Sequence, residues 1–211
     1  MKFDKIPGAT ITRLSIYSRN LEELAGENLK VISSEKLAEH CGVNSAQIRK
    51  DLAYFGEFGV RGVGYYVRDL LFEIKKILGL NKDWNLGLIG IGNLGSALIA
   101  HENFFRQGYN FVAAFDNDPI KIDKKLPNGL KVASIDNLKQ VKEMTNMEIG
   151  VISTPAATAQ EIANRLIEAD IRAILNFAPA QIQVPDGCRV ENVDFTVKLD
   201  NLAYHLTSDR T

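Results

Sequence analysis

The chain has few of the residues that would place it among secreted, metal-binding or membrane proteins. Its 211 residues include only two cysteines, Cys41 and Cys188, which are far apart and form no C-x-x-C pair. Three histidines and one tryptophan are present, and no apolar run approaches the ~18 residues that a membrane span requires. Without an apolar signal stretch after Met1, these features favour a cytoplasmic protein with reduced thiols, no membrane segment and no metal site.

Charge is nearly balanced, with a formal net charge of −1 at pH 7. The first 80 residues carry a small excess of basic side chains and the remainder a small excess of acidic ones. Such a weak bias is compatible with a nucleic acid partner but does not establish one. Whether this part binds nucleic acid must be judged from where its charged residues lie. The length is sufficient for two modest domains, each with its own core.

The most informative stretch is the G-x-G-x-x-G run from Gly90 to Gly95. It follows the apolar run 86–89 and precedes the helix-like stretch 96–106. A strand that ends in a glycine turn and feeds a helix directs backbone N–H groups at a pyrophosphate. In this interpretation Gly90 makes the turn, Gly92 lets the backbone approach the phosphates and Gly95 lets the helix pack against the strand. The predicted phosphate-binding residues are Gly90, Ile91, Gly92, Asn93, Leu94 and Gly95.

Asp116 ends the next apolar run, at the distance of about 20 residues where this fold places the ribose-binding carboxylate. A carboxylate accepts a hydrogen bond from the 2′-hydroxyl of NAD and repels the 2′-phosphate of NADP. Lys121, Lys124 and Lys125 follow, but no arginine comes directly after Asp116, so the sequence favours NAD. The alternative for this segment is a solvated turn after a strand.

Strand-like and helix-like runs alternate from Trp84 onward, which predicts a parallel sheet covered by helices on both faces. The strand-like runs are 86–89, 111–115, 130–133, 149–153, 173–175 and 190–193, and the helix-like runs are 96–106, 135–143 and 156–168. Polar groups follow two further strands, at 153–155 and 176–179. Candidate contacts to a nicotinamide amide are therefore Thr154, Pro155, Asn176, Ala178 and Pro179, with ordinary loop capping as the alternative.

The first 80 residues contain the spacing of a helix-turn-helix. A first helix begins between Pro7 and Thr12 and ends at Gly26, with an apolar stripe from Ile11 to Leu24. The spacing of the motif itself is carried by Ala38, Gly42, Val43, Ile48 and Leu52. Asn44 and Gln47 resemble a capping box at the start of its second helix. Ser45, Gln47, Arg49 and Lys50 lie on the polar face of that helix, suited to base edges and phosphates.

A glycine-rich, aromatic segment at 56–67 shows partial alternation and predicts a β-hairpin, which directly after a helix-turn-helix would be a wing. Arg61, flanked by glycine and valine in this segment, is a candidate for reaching a phosphate or a minor groove. A further amphipathic helix is predicted over 67–79. The alternative for the whole region is a three-helix packing module whose charges are simply solvated.

An acid–base pair for hydride transfer is hard to find. The candidates by residue type are His101 and His205, and neither lies at a strand end with a carboxylate partner. The residues after Val193 are too few for a substrate domain. They form instead a broad-faced apolar helix over 194–207, which needs its own domain or a second subunit to bury it.

The order and spacing of these motifs resemble the Rex family of bacterial NADH-sensing transcriptional repressors over nearly the whole chain. The segments that carry the resemblance are 48–56, 61–65, 90–95, 114–116, 174–179 and 191–194. It implies a cytoplasmic homodimer in which an N-terminal winged helix-turn-helix domain (1–80) precedes a Rossmann-type parallel-sheet domain (81–193) and a domain-swapped C-terminal helix (194–211). It further implies binding to pseudo-palindromic operator DNA that NADH disfavours, with NAD competing less effectively.

The resemblance also implies roles for individual residues. Arg19 and Asp194 would form an inter-subunit pair that reports the ligand state. Phe195 would lie by the nicotinamide from the partner chain, and His101 occupies a position that is tyrosine in some relatives. The DNA-binding residues on this reading are Ser45, Gln47, Arg49, Lys50, Tyr54, Arg61 and Gly62. The alternatives are an NAD-dependent oxidoreductase with an accessory N-terminal domain and, less favoured by Asp116, a coenzyme A-binding domain.

Overall fold

The computed structural model describes residues 6–208, which divide into two units between Lys82 and Asp83. Each unit has its own hydrophobic core. The assignment of separate domains to 1–80, 81–193 and 194–211 stays a prediction.

The N-terminal unit is a small helical module with a two-stranded sheet. Its elements are α1 (Gly8–Gly26), β1 (Val31–Ile32), α2 (Ser34–Cys41), α3 (Ser45–Ala53), β2 (Tyr65–Tyr66) and α4 (Val67–Ile77). Helix α1 packs mainly against α4, and α2 packs against α3. The apolar stripe of α1 is buried from Leu14 to Leu24, but Ile11, which the spacing placed on the same stripe, is 39% exposed because it lies in the first turn.

The connection between α2 and α3 has the geometry of a helix-turn-helix. Gly42 ends α2 in the left-handed region at φ +65°, and Val43 N–H donates to the Ala38 carbonyl at 3.1 Å. Asn44 Oδ1 then accepts from Gln47 N–H at 2.8 Å, so α3 begins with a side-chain cap. The capping box is only half formed, because the Gln47 side chain donates to Asp51 instead of returning to Asn44.

The wing differs from the predicted hairpin over 56–67. The segment makes one β-bridge, between Val60 and Gly64, and its only strand, β2, pairs antiparallel with β1. The sequence did not indicate β1, because two residues are too short to show an alternating pattern. The wing is therefore a tight turn carrying Arg61, attached to a strand pair whose other half precedes α2.

The C-terminal unit contains a six-stranded parallel sheet. Its strands are β3 (Trp84–Ile89), β4 (Tyr109–Asp116), β5 (Val132–Ser134), β6 (Ile149–Ile152), β7 (Ala173–Asn176) and β8 (Arg189–Asn192). Its helices are α5 (Asn93–Ala100), α6 (Asn103–Arg106), α7 (Leu138–Thr145), α8 (Ala156–Glu168) and α9 (Phe195–Ser208). All six predicted strands are present, with ends that differ by up to two residues.

The spatial order of the strands is β5-β4-β3-β6-β7-β8. This is the order of the dinucleotide-binding fold, in which the chain direction across the sheet reverses between the first and fourth strands. Here the reversal lies between β3 and β6, directly beside the glycine run. Ligands of open parallel sheets bind at such a reversal, outside the carboxyl ends of the strands.

One predicted helix is interrupted. The helix expected over 96–106 begins earlier, at Asn93, and breaks at His101, whose backbone is extended. The four-residue helix α6 follows. The His101 ring accepts a hydrogen bond from Asn103 N–H at 3.2 Å, so the side chain helps to start α6.

Helix α9 is present as predicted but has no cover within its own unit. None of its described residues is buried, and six large apolar side chains are each more than half exposed. These residues are Phe195, Val197, Leu199, Leu202, Tyr204 and Leu206.

Candidate dinucleotide site and DNA-reading surface

The glycine loop joins β3 to α5 at the reversal point of the sheet. Gly90 has φ +97°, which L-residues rarely adopt, and its N–H donates to the Phe115 carbonyl at 2.8 Å. A Cβ on Gly95 would overlap the Gly90 carbonyl oxygen, so α5 packs on the loop only because residue 95 is glycine. A Cβ on Gly92 would instead point into open space. The loop thus leaves room for a ligand at Gly92 and none at Gly95.

Two helices begin at this edge of the sheet, α5 after Gly92 and α8 after Pro155. Among residues 6–208, no side chain caps either N-terminus. Their first backbone N–H groups are therefore available to an anion, and the helix dipoles favour negative charge there. A pyrophosphate is a ligand of this kind.

Asp116 ends β4 beside the loop and is only 6% exposed. Its Oδ2 accepts from Ile91 N–H at 2.8 Å and from Lys121 Nζ at 2.9 Å, and its Oδ1 accepts from Asp118 N–H at 2.9 Å. Burial alone would raise the pKa of Asp116, but these donors outweigh it and lower the pKa. The carboxylate is therefore ionised and fixed next to the glycine loop.

Thr154 follows β6 on the other side of the reversal point. Its Oγ1 is buried and has no hydrogen-bond partner among the described residues. The neighbouring Ser153 hydroxyl is already engaged, because it donates to the Gly90 carbonyl at 2.7 Å. An unsatisfied hydroxyl beside the glycine loop is costly in isolation and fits a polar ligand group at this edge.

Asn176 lies where predicted, at the end of β7, but its side chain faces the protein. The amide donates to the carbonyls of Ala178 and Ala180 and to Asn192 Oδ1, and its oxygen accepts from Ala178 N–H at 2.9 Å. Asn176 is fully buried, so it fixes the shape of the loop 177–180. A contact with a ligand would come from the backbone of Ala178 and Pro179 and not from this amide.

Phe195 begins α9 next to that loop. Its ring centroid lies 6.4 Å from that of Phe177, and both Phe195 and Pro179 line an open cavity of about 650 Å³. Asp194 precedes the helix, and its Oδ1 accepts from the backbone N–H and the hydroxyl of Thr196, which lowers the pKa of Asp194. Within one chain, Phe195 thus lies beside the predicted nicotinamide loop.

His101 does not lie at the carboxyl edge. It follows the last residue of α5, about 12 Å along the helix from the glycine loop. It lines a second cavity of about 850 Å³ together with Phe104 and Tyr109 at the opposite end of β4. The structure therefore does not bring His101 together with Asp116 or Thr154.

The residues predicted to read DNA lie on α3, directly after it and in the wing turn. Arg49, Lys50, Arg61 and Gly62 are exposed, and Tyr54 is 44% exposed. Arg49 Nη1 donates to the Ser34 hydroxyl at 2.7 Å and to Glu35 Oε1 at 3.2 Å. The guanidinium is held at the N-terminus of α2, facing a cavity of about 580 Å³ that Arg61 also lines.

Gln47 differs from these residues, because its side chain points inward to a buried carboxylate. Asp51, one residue after Lys50, has no exposed surface. We call Asp51 and the four side chains that donate to it the Asp51 cluster; its donors are Arg13, Tyr17, Gln47 and Thr10. Three of these donors belong to α1, so the cluster connects the start of the chain to the predicted recognition helix.

The Arg13 guanidinium meets Asp51 with two hydrogen bonds, Nε to Oδ2 at 2.6 Å and Nη2 to Oδ1 at 2.7 Å. Burial would raise the pKa of Asp51, but Arg13, Tyr17 and the other donors lower it to about 2. Sequence reasoning missed this residue. In the sequence, an acidic side chain between Lys50 and Leu52 resembles part of a solvated helix face. The three donors on α1 that show otherwise lie more than 30 residues away.

The cysteines and the metal-ligating residue types do not point to a further site in the described residues. Burial raises the pKa of the Cys41 thiol to about 11, so it is not a reactive thiolate, and Cys188 is buried. No cluster of three or more metal-ligating side chains occurs among residues 6–208. Within the same residues, no helix is both long and apolar enough to cross a bilayer.

Fold and site together define a class of protein, a helix-turn-helix module joined to a Rossmann-type dinucleotide domain. Comparison with known proteins agrees with each half. Residues 5–53 match a family model described as "Putative DNA-binding protein N-terminus", and residues 81–180 match one described as "CoA binding domain".

Full-length relatives identify the family. The chain is 63% identical to the redox-sensing transcriptional repressor Rex of Syntrophobacter fumaroxidans, over 98% of this chain and 99% of the relative. It is 52% identical to that of Carboxydothermus hydrogenoformans, over 99% and 100% of the two chains. The chain belongs to the Rex family of redox-sensing transcriptional repressors.

Solved structures of the same family share the fold. A crystal structure of RSP in complex with β-NAD⁺ and operator DNA is 38% identical with a TM-score of 0.92, covering 98% of this chain and 94% of that one. RSP in complex with β-NADH is 36% identical with a TM-score of 0.86, covering 97% and 96%. The resemblance inferred from the sequence is thereby confirmed, as is the fold of a Rossmann-type sheet with an N-terminal DNA-binding module and a C-terminal helix.

Proposed function

We propose that this chain represses transcription by binding operator DNA through its N-terminal unit, and that NADH bound to its C-terminal unit releases the DNA. The observation that carries the proposal is Asp116 hydrogen-bonded to the glycine loop at the reversal point of the sheet, in a chain whose other unit is a helix-turn-helix. The bound nucleotide is then a signal. RSP, a relative of the same fold, has been crystallised with β-NAD⁺ and operator DNA and with β-NADH.

The dinucleotide would lie along the carboxyl edge of β3, β4 and β6. Backbone N–H groups of residues 92–95 and the N-terminus of α8 at Pro155 would hold the pyrophosphate, since those of Gly90 and Ile91 already donate within the protein. Asp116 would accept from the adenosine ribose, and Thr154 Oγ1 would gain the partner that it lacks. The backbone of 178–179 would meet the nicotinamide, with Asn176 positioning that loop.

Operator contacts would come from one face of the N-terminal unit. Ser45 begins α3, where recognition helices meet base edges, and Arg49 and Lys50 lie further along the same helix. Arg61 and Gly62 lie in the wing turn. Tyr54 follows α3 on the exposed side. Gln47 would have to leave Asp51 to reach DNA, so its part in the contact is the least supported by the geometry.

A homodimer is the second element of the proposal. The apolar surface of α9 is too large and continuous to be left in water, and a second copy of the chain, exchanging α9, would cover it. A dimer would also present two recognition helices, which could enter two half-sites of the operator that lie one helical turn, about 34–36 Å, apart. Arg19 and Asp194, which are both exposed, would pair between subunits and change with the ligand, and Phe195 would approach the partner's nicotinamide.

The switch requires NADH to bind one arrangement of the dimer more tightly than the other. A coupling free energy of ~1–3 kcal/mol would change operator affinity roughly 5- to 150-fold. NAD, which lacks the additional hydride of NADH, would compete for the site with a smaller effect on DNA. No acid–base pair for hydride transfer is needed in this scheme, and we infer that NADH is not consumed.

The test is operator binding by the purified full-length chain, measured by fluorescence anisotropy at fixed salt because salt alone changes such affinities strongly. NADH, NAD and coenzyme A are titrated in parallel. We expect NADH to weaken operator binding at least fivefold, NAD to do so less, and coenzyme A to have no effect. Operator binding that is indifferent to NADH contradicts the proposal. An effect of coenzyme A alone would support the ligand named by the family model over 81–180.

A parallel assay tests the enzymatic alternative. The chain is incubated with NADH and a panel of aldehydes and ketones, and NADH absorbance is followed. We expect no consumption above that of buffer. Steady turnover would instead favour an oxidoreductase.

A further inference from the structure

The ribose end of the dinucleotide site contains a cation that the sequence did not assign. Lys121 Nζ lies 2.9 Å from Asp116 Oδ2, the same oxygen that accepts from Ile91 N–H of the glycine loop. The lysine is placed by a turn, in which its own N–H donates to the Asp118 carbonyl at 2.9 Å. Its position next to the carboxylate is therefore built into the loop after β4.

The two partners differ in their access to solvent. The Asp116 side chain is 6% exposed, whereas that of Lys121 is 36% exposed. Asp116 has about four lone-pair positions and three donors, so one position remains for a ribose hydroxyl. The ammonium has three donors, of which the carboxylate takes one. A ligand group next to Asp116 would therefore meet a negative charge and a partly exposed positive charge together.

These two charges act in opposite directions on a phosphate attached at the ribose 2′-position. The carboxylate repels it, which is how an acidic residue at this site selects NAD over NADP. The ammonium attracts it and can donate to its oxygens. A hydroxyl at the same position is neutral, so its binding depends much less on Lys121.

We propose that Lys121 is a specificity-determining residue of the ribose subsite, and that it limits how strictly the chain excludes dinucleotides with a 2′-phosphate. The inference rests on the proposed function, since it assumes that a dinucleotide binds at Asp116. The site accordingly binds NADH in preference to NADPH but retains measurable affinity for NADPH. Partly exposed ion pairs contribute modestly, so the expected effect of Lys121 on the ratio of the two affinities is roughly three- to fivefold.

The test measures dissociation constants of the full-length chain for NADH and NADPH by the fluorescence of the reduced nicotinamide. Lys121→Met removes the charge and keeps the length of the side chain. We expect it to raise the ratio of the NADPH to the NADH dissociation constant three- to fivefold, mainly by weakening NADPH. Lys121→Arg keeps the charge and should keep the ratio within twofold. The increase should shrink at high salt, because the lysine is partly exposed.

Two further variants calibrate the result. Lys124→Met removes an exposed lysine of the same loop and should leave the ratio unchanged. Asp116→Ala removes the repulsive partner and should lower the ratio, the opposite direction to Lys121→Met. Opposite shifts from neighbouring residues distinguish an electrostatic effect on the 2′-position from general damage to the loop.

The possible outcomes separate this inference from the proposed function. If NADH binds and Lys121→Met weakens both nucleotides equally, Lys121 only supports the loop and the inference is wrong, while the proposed function stands. An NADPH affinity too weak to measure in the unsubstituted chain also contradicts it. A chain that binds neither nucleotide overturns both the inference and the proposed function.

Discussion

The buried carboxylates of Asp51 and Asp116 each accept several hydrogen bonds, but their donors come from different parts of the structure. Asp51 receives all its hydrogen bonds from side chains, and three of its donors lie on α1. Asp116 receives two of its three from backbone N–H groups at the carboxyl edge of the sheet. Side-chain donors from α1 join two helices, whereas the donors to Asp116 are local to the carboxyl edge of the sheet and leave one lone-pair position without a donor. The first carboxylate is therefore structural and the second belongs to the proposed site.

Replacing Asp51 with Asn should destabilise the N-terminal unit. The substitution leaves Arg13 without its ionic partner. Breaking a buried ion pair costs about 3–5 kcal/mol of unfolding free energy, and we expect the low end, about 3 kcal/mol, because the Arg13 side chain is 25% exposed. Chemical denaturation, followed by circular dichroism, measures the change. Glu22→Gln is the matched control, since Glu22 pairs with Lys75 on the same unit but is partly exposed, and about 0–1 kcal/mol is expected. Equal losses in the two variants would contradict the assignment of the Asp51 cluster.

The same cluster should make stability depend on pH in the acid range. The pKa of Asp51 is lowered to about 2 in the folded state, against an ordinary value near 3.8. A lowered folded-state pKa stabilises fully above the unfolded-state value, so the contribution is present above about pH 4 and is lost as the pH falls to about 2. The loss is about 2 kcal/mol at 1.36 kcal/mol per pKa unit. Asp51→Asn should flatten this part of the pH–stability curve, and an unchanged slope would argue against the pair.

Glycine substitutions in the loop should separate folding from ligand binding. Gly95→Ala places a methyl group on the Gly90 carbonyl, so it should destabilise the C-terminal unit and abolish NADH binding. Gly92→Ala meets no protein atom within 4 Å and has φ −89°, so the unit should stay folded. Its methyl group should nevertheless weaken NADH roughly tenfold by crowding the phosphates. Thermal unfolding of both variants measures the effect on folding, and nucleotide titration measures the effect on binding. Full NADH affinity in Gly92→Ala would exclude phosphate contact at this loop.

At the scale of elements, α3 is packed against the core and against α1 and is exposed on its remaining face. Ile48 and Leu52 face the core, Asp51 faces α1, and Arg49 and Lys50 remain exposed. Such a helix has a fixed orientation with a cationic outer face, which is what entry into a major groove requires. The exposed face can therefore change without disturbing the packing of the helix.

Lys50→Ala should accordingly weaken operator binding without affecting NADH. The loss of one phosphate or base contact is worth about 1–3 kcal/mol, a five- to 150-fold change in operator affinity. If Lys50 contacts a phosphate, the slope of log affinity against log salt should also fall by about 0.9. Lys139→Ala, which removes an exposed lysine from α7 in the other unit, is the control. Operator affinity equal in the two variants would remove Lys50 from the DNA surface.

At the scale of the molecule, α9 is an element whose apolar side chains are left exposed by the rest of the described chain. Its apolar residues recur on several sides of the helix, and each of the six large ones is more than half exposed. A helix that is apolar around much of its circumference is stable in water only when other elements cover it. In the dimer that we propose, a symmetric exchange with a second copy would provide that cover and would join two DNA-reading units in one particle.

Leu202→Lys should therefore weaken the dimer. A lysine in an apolar interface loses the burial of leucine and brings in a charge that must be desolvated, so the fraction of dimer at micromolar concentration should fall sharply. Sedimentation velocity measures this fraction. Asn201→Lys adds the same charge at the adjacent position of α9 and should have a smaller effect. A chain that is monomeric before substitution, or a dimer that resists Leu202→Lys, would exclude α9 as the interface.

Local patterns in the sequence were sufficient for most of the fold. The strands and helices of the C-terminal unit follow from apolar runs and 3.6-residue spacing, and the helix-turn-helix follows from Gly42, Asn44 and the aliphatic residues around them. The glycine loop and Asp116 were found for the same reason, because a turn, a helix start and a strand end are each specified by neighbouring residues. The prediction failed where pattern and length were insufficient, at the two-residue strand β1 and at the break in the helix at His101.

The sequence by itself determined which elements form, that a dinucleotide fold follows a helix-turn-helix, and which family the chain belongs to. Only the tertiary structure decided which polar side chains are already engaged in hydrogen bonds or ion pairs within the protein. Asp51 and Arg13 are 38 residues apart, Asn176 turns inward to its own loop, and Lys121 meets Asp116. The physical reason is that periodicity and turn propensity act within a few residues, whereas an ion pair or a buried hydrogen bond depends on where the folded chain brings distant groups together.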